Sequence, residues 1–291
     1  MQILGVGVAT LDIIDSLAEF PREDSEQRAL ARWSRVGGNA ANTLMVLSQY
    51  GHRCSWAGTL AGDTDAANIE DWLKAHAIDL RWAQRYPDGV SPVSHILHSR
   101  RTASRTIVHY RDLPEFEAEA FAGIELGPFD WLHFEGRHVP ACEQMLRLAR
   151  QRRPDLHCSL EVEKPRAEIE RLFPLADVLF FSRAYAEAVG YASAEALLTA
   201  IRARGVKGLL YVTWGEAGAW LDDGRNPLQH CPAFRPSELI DTLGAGDVFN
   251  AGLIHGLVQG QSPQQALERA VELAGRKCGQ QGLEGLVTDD V

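Results

Sequence analysis

Apolar residues recur along this chain in two periods. The apolar run at residues 3–8 reads as a buried strand, and the segments 131–134, 157–162, 178–181 and 209–213 read as further strands. Between them, apolar positions fall three and four apart, which predicts helices over 40–50, 66–77, 141–152 and 194–204, and another after Gly246. Gly51 stops the first of these. Ser262-Pro263 opens a last helix as cap and first-turn proline, running to about Lys277. Strands alternating with helices predict an α/β fold, a mostly parallel sheet covered on both faces. Two stretches, 27–36 and 81–110, break the rhythm. Their alternation (Val93, His95, Leu97; Thr106, Val108, Tyr110) has no helix between, and predicts antiparallel strands of a small accessory sheet.

Composition narrows the class. A chain of 291 residues, 45% hydrophobic and 23% charged, holds one large α/β domain or two small ones. Its formal charge of −10 argues against a nucleic-acid or anionic-membrane surface. Any phosphate must then be held by local dipoles and a few placed cations. Five scattered cysteines without C-x-x-C spacing suit free thiols in a reducing compartment. No apolar run approaches the ~20 residues of a membrane span, and the N-terminus enters a strand without a basic leader. The expectation is a cytoplasmic protein.

The most informative chemistry lies at Asp241-Thr242-Leu243-Gly244-Ala245-Gly246-Asp247, followed by an apolar helix. Glycines let backbone approach an anion, and a helix start offers free N–H groups at a positive dipole end. A carboxylate beside such an anion hole suggests a base that takes a proton from a hydroxyl attacking phosphorus. The plainer reading of Gly-Ala-Gly-Asp is a capped helix after a tight turn. Rival phosphate motifs fail: no G-x-x-x-x-G-K-[ST] occurs, and Gly5-Val6-Gly7 lacks the third glycine, position 10 being threonine.

The 241–247 string, and Gly37-Gly38-Asn39-Ala40-Ala41-Asn42 about 200 residues upstream, resemble the paired signatures of the ribokinase-like (PfkB) carbohydrate kinases. The resemblance spans the chain. It is nearest to the ketohexokinase group, through Pro21-Arg22-Glu23-Asp24-Ser25-Glu26, Glu161-Val162-Glu163-Lys164-Pro165-Arg166 and Ala274-Gly275-Arg276-Lys277-Cys278-Gly279.

The resemblance implies a ribokinase-like three-layer α/β sandwich, one domain over 1–291, with a small antiparallel β lid from about 12–37 and 81–111. It implies ATP-dependent phosphorylation of a ketohexose, fructose foremost, at the 1-hydroxyl. A kinase of ribose, another ketose or a nucleoside is the alternative within the fold, and a catalytically silent sugar sensor the alternative outside it. Asp247 would be the base and Gly244, Ala245 and Gly246 the anion hole. Asp12, Gly38, Asn39 and Asn42 would hold the sugar, Arg105 the phosphate side, and Asp24 a neighbouring subunit's sugar. Thr213, Gly215, Glu216 and Gly218, with Cys278 and Gly279, would border ATP. The resemblance further implies Mg²⁺, a potassium site near Asp241 and the C-terminal segment, and a homodimer through the lid. One departure stands out: the family's Asn-x-x-Glu after a strand reads Ser182-Arg183-Ala184-Tyr185 here, so Glu161, Glu163 and Lys164 are the candidates to face the metal–phosphate region. The lid's His95, His98, Arg100, Arg101 and Arg105 suggest a small polar substrate rather than a nucleoside.

Overall fold

A computed structural model describes residues 1–102 and 104–287. In chain order the elements are β1 (Gln2–Val6), β2 (Thr10–Leu17), β3 (Ala31–Gly37), α1 (Asn39–Gln49), β4 (Arg53–Ala57), β5 (Thr59–Ala61), α2 (Thr64–Ala75), β6 (Gln84–Tyr86), β7 (Val90–Ser99), β8 (Arg105–Asp112) and α3 (Ala118–Ala122). There follow β9 (Trp131–Glu135), α4 (Val139–Arg152), β10 (His157–Val162), β11 (Val178–Ser182), α5 (Arg183–Ala188), α6 (Ala194–Ala203), β12 (Leu209–Thr213), β13 (Ala219–Asp222), β14 (Gln229–Cys231), α7 (Ala245–Val258) and α8 (Pro263–Cys278).

Eight strands form the central sheet in the order β14-β13-β12-β11-β10-β9-β1-β4. From β4 to β12 every pairing is parallel; β13 and β14 add an antiparallel edge. Successive side chains of a strand point to opposite faces, and the core divides accordingly. Leu4, Leu132, Phe134, Leu160, Leu179 and Leu210 pack under α3, α4, α5 and α6. Ile3, Trp131, Val178, Phe180 and Tyr211 pack under α1, α2, α7 and α8. This is the three-layer ribokinase-like sandwich. Among the described residues no helix is long and apolar enough to cross a membrane.

The chain leaves β1 for β4 on one side and returns to β9 on the other. In open α/β sheets a crevice at the carboxyl ends of the strands forms at such a switch. Over it lies the lid, a second sheet in the order β3-β2-β7-β8. Its β2–β3 and β7–β8 pairings are antiparallel and its β2–β7 pairing parallel. Asp12 therefore sits inside a strand, β2. Polar residues at 12 and 15 mask β2: Asp12 looks into the cleft, and Asp15, on the opposite face, pairs with Arg32.

Candidate active site

One cleft of about 510 Å³ opens where the lid meets the carboxyl ends of β1, β9, β10, β11 and β12. Asp12, Gly38, Asn39, Asn42, Arg105, Thr213, Gly244, Ala245, Gly246 and Asp247, all singled out from sequence, line it together.

Asp247 lies in the first turn of α7, whose cap Gly244 has a φ of 82°. That left-handed conformation suits glycine, and Gly244, Ala245 and Gly246 line the cleft at the start of the helix. The Asp247 carboxylate is buried and accepts a hydrogen bond from Asn42 Nδ2 at 2.7 Å, one turn into α1. Asn42 Oδ1 is buried without a partner, so it is free to accept from a ligand hydroxyl. Three further carboxylates share the floor. Glu161 accepts from Asn250 Nδ2 at 3.1 Å, and its Oε2 has no partner. Glu163 accepts from Asn39 Nδ2 at 3.3 Å. Glu135 accepts from the N–H groups of Val8 (3.1 Å) and Ala40 (2.7 Å), tying β9 to the end of β1 and the start of α1. Burial pushes the Asp247 carboxyl well above the ordinary carboxylate range; the Asn42 bond pulls it back, and Glu163 and Glu135 add repulsion. Glu161 is raised for the same reasons, burial first and Asp247 next.

The lid-side wall of the cleft comes from one rung of the lid. Asp12 is level with Arg35 on β3 and Ser94 on β7, and Ser94 with His109 on β8. All four line the cleft. Thr10 Oγ1 donates to Asp12 at 3.0 Å, and Ser94 Oγ lies 3.1 Å from His109 Nδ1. Burial raises the Asp12 carboxyl, partly offset by hydrogen bonds from Ser94 and Thr10. Of the basic lid residues named from sequence only Arg105 lines the cleft; Arg100 turns to Ser16 and Arg101 to Glu19. Arg105 Nη1 donates to Thr242 Oγ1 at 3.1 Å, joining the lid to the turn before α7.

Other expectations fall elsewhere. Gly215, Glu216, Gly218, Cys278 and Gly279 are not among the cleft-lining residues, although Thr213 is. Residues 214–218 form the turn of the β12–β13 hairpin, closed by Trp214 N–H donating to the Gly218 carbonyl at 2.8 Å. Asp24 is exposed, outside this cleft, with a φ of 57°. Ser182 caps α5 through the Tyr185 N–H and donates to the Glu163 carbonyl at 2.6 Å, so it braces the 161–166 segment. Glu135, Arg137, Ser94, His109 and Asn250 escaped the sequence reading. Asn250, one helical turn after Asp247, carried a signal in its spacing.

Among the described residues no group of three or more His, Cys, Asp or Glu is arranged to hold a metal directly. The unpartnered, buried Glu161 Oε2 and the neighbouring Glu163 fit a magnesium ion through its water shell, since Mg²⁺ retains several waters. Potassium does not fit at Asp241. Its carbonyl and Oδ2 each accept from Lys277 Nζ at 2.8 Å, and Oδ2 also meets Arg35 Nη1 at 3.2 Å. Burial raises the Asp241 carboxyl, but Lys277, the Leu243 N–H and Arg35 outweigh it and leave it below the usual range.

Comparisons with known proteins agree with this geometry. Residues 2–289 match the pfkB family carbohydrate kinase. Over 295 residues the chain is 38% identical to ketohexokinase of Mus musculus, covering 98% of this chain and 99% of that one. The crystal structure of ribokinase from Thermotoga maritima superposes with a TM-score of 0.79 at 20% identity, over 98% of this chain and 95% of the other. Ribokinase from Cryptococcus neoformans in complex with ADP gives a TM-score of 0.78 at 18% identity, over 98% and 96%. A cleft at the switch point, an acid at a glycine-capped helix start and a whole-length match converge: the chain belongs to the pfkB family of carbohydrate kinases and is an ATP-dependent sugar kinase.

Proposed function

We propose that this kinase phosphorylates a ketohexose, fructose foremost, at its 1-hydroxyl. The observation that carries the reading is the buried Asp247 carboxylate beside the Gly244–Gly246 amides, in one cleft with Asp12, Asn39 and Asn42. The sugar hydroxyl gives its proton to Asp247 as its oxygen bonds to the γ-phosphorus. The bond from that phosphorus to the bridging oxygen breaks, and ADP leaves. Such a base contributes ~10²–10⁴ in rate. The amides of this turn meet charge growing on the phosphoryl oxygens, and one such donor is worth about 3 kcal/mol in the transition state. Asp12, Asn39 and Asn42 supply the mixed donors and acceptors that sugar hydroxyls need, and Gly38 lets the backbone pass close to them. Glu161 and Glu163 would hold the water shell of a magnesium ion arriving with ATP, which would supply neutralisation of phosphate charge.

Arg105 takes the phosphate side, leaving Thr242 for the transferred group. Arg105→Gln is expected to raise the KM for ATP about tenfold, the worth of one charge-assisted hydrogen bond. An unchanged KM in steady-state assays would remove Arg105 from the site. ATP's ribose and adenine then lie past Thr213, along Gly215, Glu216 and Gly218 and toward Cys278 and Gly279. On the outer face of β8, Val108 and Tyr110 are exposed. That apolar face supports a homodimer through the lid, in which Asp24 approaches the partner's sugar. A reducing, cytoplasmic setting suits the five free thiols.

The wall of Asp12, Arg35, Ser94 and His109 favours a small polyol over a nucleoside base, which needs an apolar slot. An ADP-release assay across fructose, other ketoses, fructosamines, ribose and nucleosides tests the substrate. Fructose is expected to show the highest kcat/KM, and NMR of the product to show phosphorus coupled to the C1 methylene protons. A preference for ribose or a nucleoside, or coupling at another carbon, would sink the proposal.

A further inference from the structure

The buried stripe of α8 runs Ala266, Ala270, Leu273 and then, at the next helical step, Lys277. Lys277 has no exposed surface. An ammonium placed there is costly unless its protons are all engaged. They are: Nζ donates to the Asp241 carbonyl and Asp241 Oδ2 at 2.8 Å each, and to the Gln280 carbonyl at 3.4 Å. Three acceptors for three protons leave no donor for a substrate, and Lys277 does not line the cleft. What it holds, however, is the start of the turn that delivers the anion-hole amides. Asp241 Oδ1 accepts from the Leu243 N–H at 2.9 Å, and the Thr242 carbonyl from the Ala245 N–H at 3.3 Å. Oδ2 also accepts from the Gly282 N–H at 3.3 Å, closing the cage from the C-terminal side. Two carbonyl oxygens and a carboxylate around one positive charge are the donor set that a monovalent cation takes.

We infer that Lys277 is a positioning residue whose tethered ammonium does the work of a bound monovalent cation, fixing the 241–245 turn, in which the Ala245 N–H is held by the Thr242 carbonyl, so that the amides of Gly244 and Gly246 face the transferred phosphoryl group. The inference rests on reading those amides as the anion hole. Arg35, the second cation on Asp241, approaches from the lid and reaches only the carboxylate. It leaves the Asp241 carbonyl to Lys277 alone.

K277A opens the cage and K277M fills it with an uncharged chain of similar length. Both are expected to lose about a hundredfold in kcat in choline-based buffer, as for loss of one anion-hole donor, with sugar KM within about threefold. Ammonium or methylammonium chloride should recover at least about tenfold of the kcat of K277A, and nothing of K277M, whereas choline chloride of equal ionic strength recovers neither. Should K277A be poorly folded, its melting temperature takes the place of kcat: ammonium should raise it above the choline value. Turnover of K277A within about threefold of the wild type, a loss confined to sugar KM, or equal effects of ammonium and choline would each overturn the inference. D247N, assayed alongside, separates the two readings. If D247N is inactive and K277A is not, Lys277 alone has been misread; if D247N stays active, the catalytic centre has been misplaced and this inference falls with it.

Discussion

Asparagine in place of Asp247 is expected to lower kcat by about 10²–10⁴ while raising the melting temperature. Both effects come from one fact, a carboxylate kept in a buried site. The rate falls because the amide cannot take the proton of the attacking hydroxyl. Sugar KM should stay near that of the wild type, since Asp12 and Asn39 are untouched and the amide oxygen introduced at position 247 can still accept from Asn42 Nδ2. For stability the sign follows from the direction of the pKa shift. Burial raises the folded-state pKa of Asp247 above its unfolded value. A raised group contributes stability that is full below the unfolded pKa and lost as pH rises through the folded one. At pH 7–8 part of that loss has been incurred, and a side chain that never ionises avoids it. Melting temperatures from pH 4 to 8 should therefore fall less steeply for D247N than for the wild type, Glu161 keeping the slope from vanishing. In the wild type, kcat/KM should rise with pH through a pKa above the ordinary carboxylate range, where the base becomes ionised. Wild-type-like turnover in D247N, or a lower melting temperature at pH 8, would sink the assignment.

Which parts of this design the sequence discloses follows from what each residue packs against. Strands β9 to β12 are legible almost to the residue, because burial on both faces leaves them mostly apolar. The site residues of α1 and α7 are legible for a different reason. Gly38, Asn39, Asn42, Gly244 and Asp247 occupy short strings whose backbone conformation and chemistry admit few alternatives. The lid is legible only in part. Strand β2 is disguised by Asp12 and Asp15, and the residues that shape the cleft from β7 and β8 are Ser94 and His109 rather than the more conspicuous His95 and His98. Alternation predicts the strands, but not which face turns inward; that is decided by the register with β2, a long-range property. Glu135 and Lys277 are disguised in the opposite sense. Each is a charge at a position where the pattern calls for an apolar residue, and its partners (Val8 and Ala40, Asp241 and Gln280) are distant or without chemical signature in the chain. A charge that interrupts an apolar stripe is thus a signal in itself, since it persists only where the fold supplies a complete set of partners.

The same reasoning predicts that Gly38→Ala is strongly damaging at the start of α1, where Gly38, Asn39 and Asn42 line the cleft. Gly38 has a φ of 104° and a ψ of 129°, a conformation open to glycine and strained for any residue with a Cβ. An added methyl would also run into the Val8 carbonyl, 2.8 Å from its carbon and 3.0 Å from the Ala9 Cα. Both are backbone atoms, so no side-chain rotation relieves the clash. Backbone strain of about 1–3 kcal/mol and overpacking of about 1–3 kcal/mol then add. Gly38 caps α1, its carbonyl accepting from the Asn42 N–H at 2.9 Å, so the helix start must shift and carry Asn39 and Asn42 with it. We expect G38A to lose stability by several kcal/mol and to raise sugar KM at least about tenfold, because both amides leave the positions that face the substrate. Gly51 provides the control, lying past the other end of the same helix. Its φ is 77°, yet nothing lies within 4 Å of an added Cβ. G51A should therefore show only the left-handed backbone cost of about 1–2 kcal/mol, with kinetics like the wild type. Thermal melts and sugar titrations of the two variants decide the matter: an unchanged sugar KM in G38A, or an equal KM change in G51A, would mean that the start of α1 does not set the sugar wall.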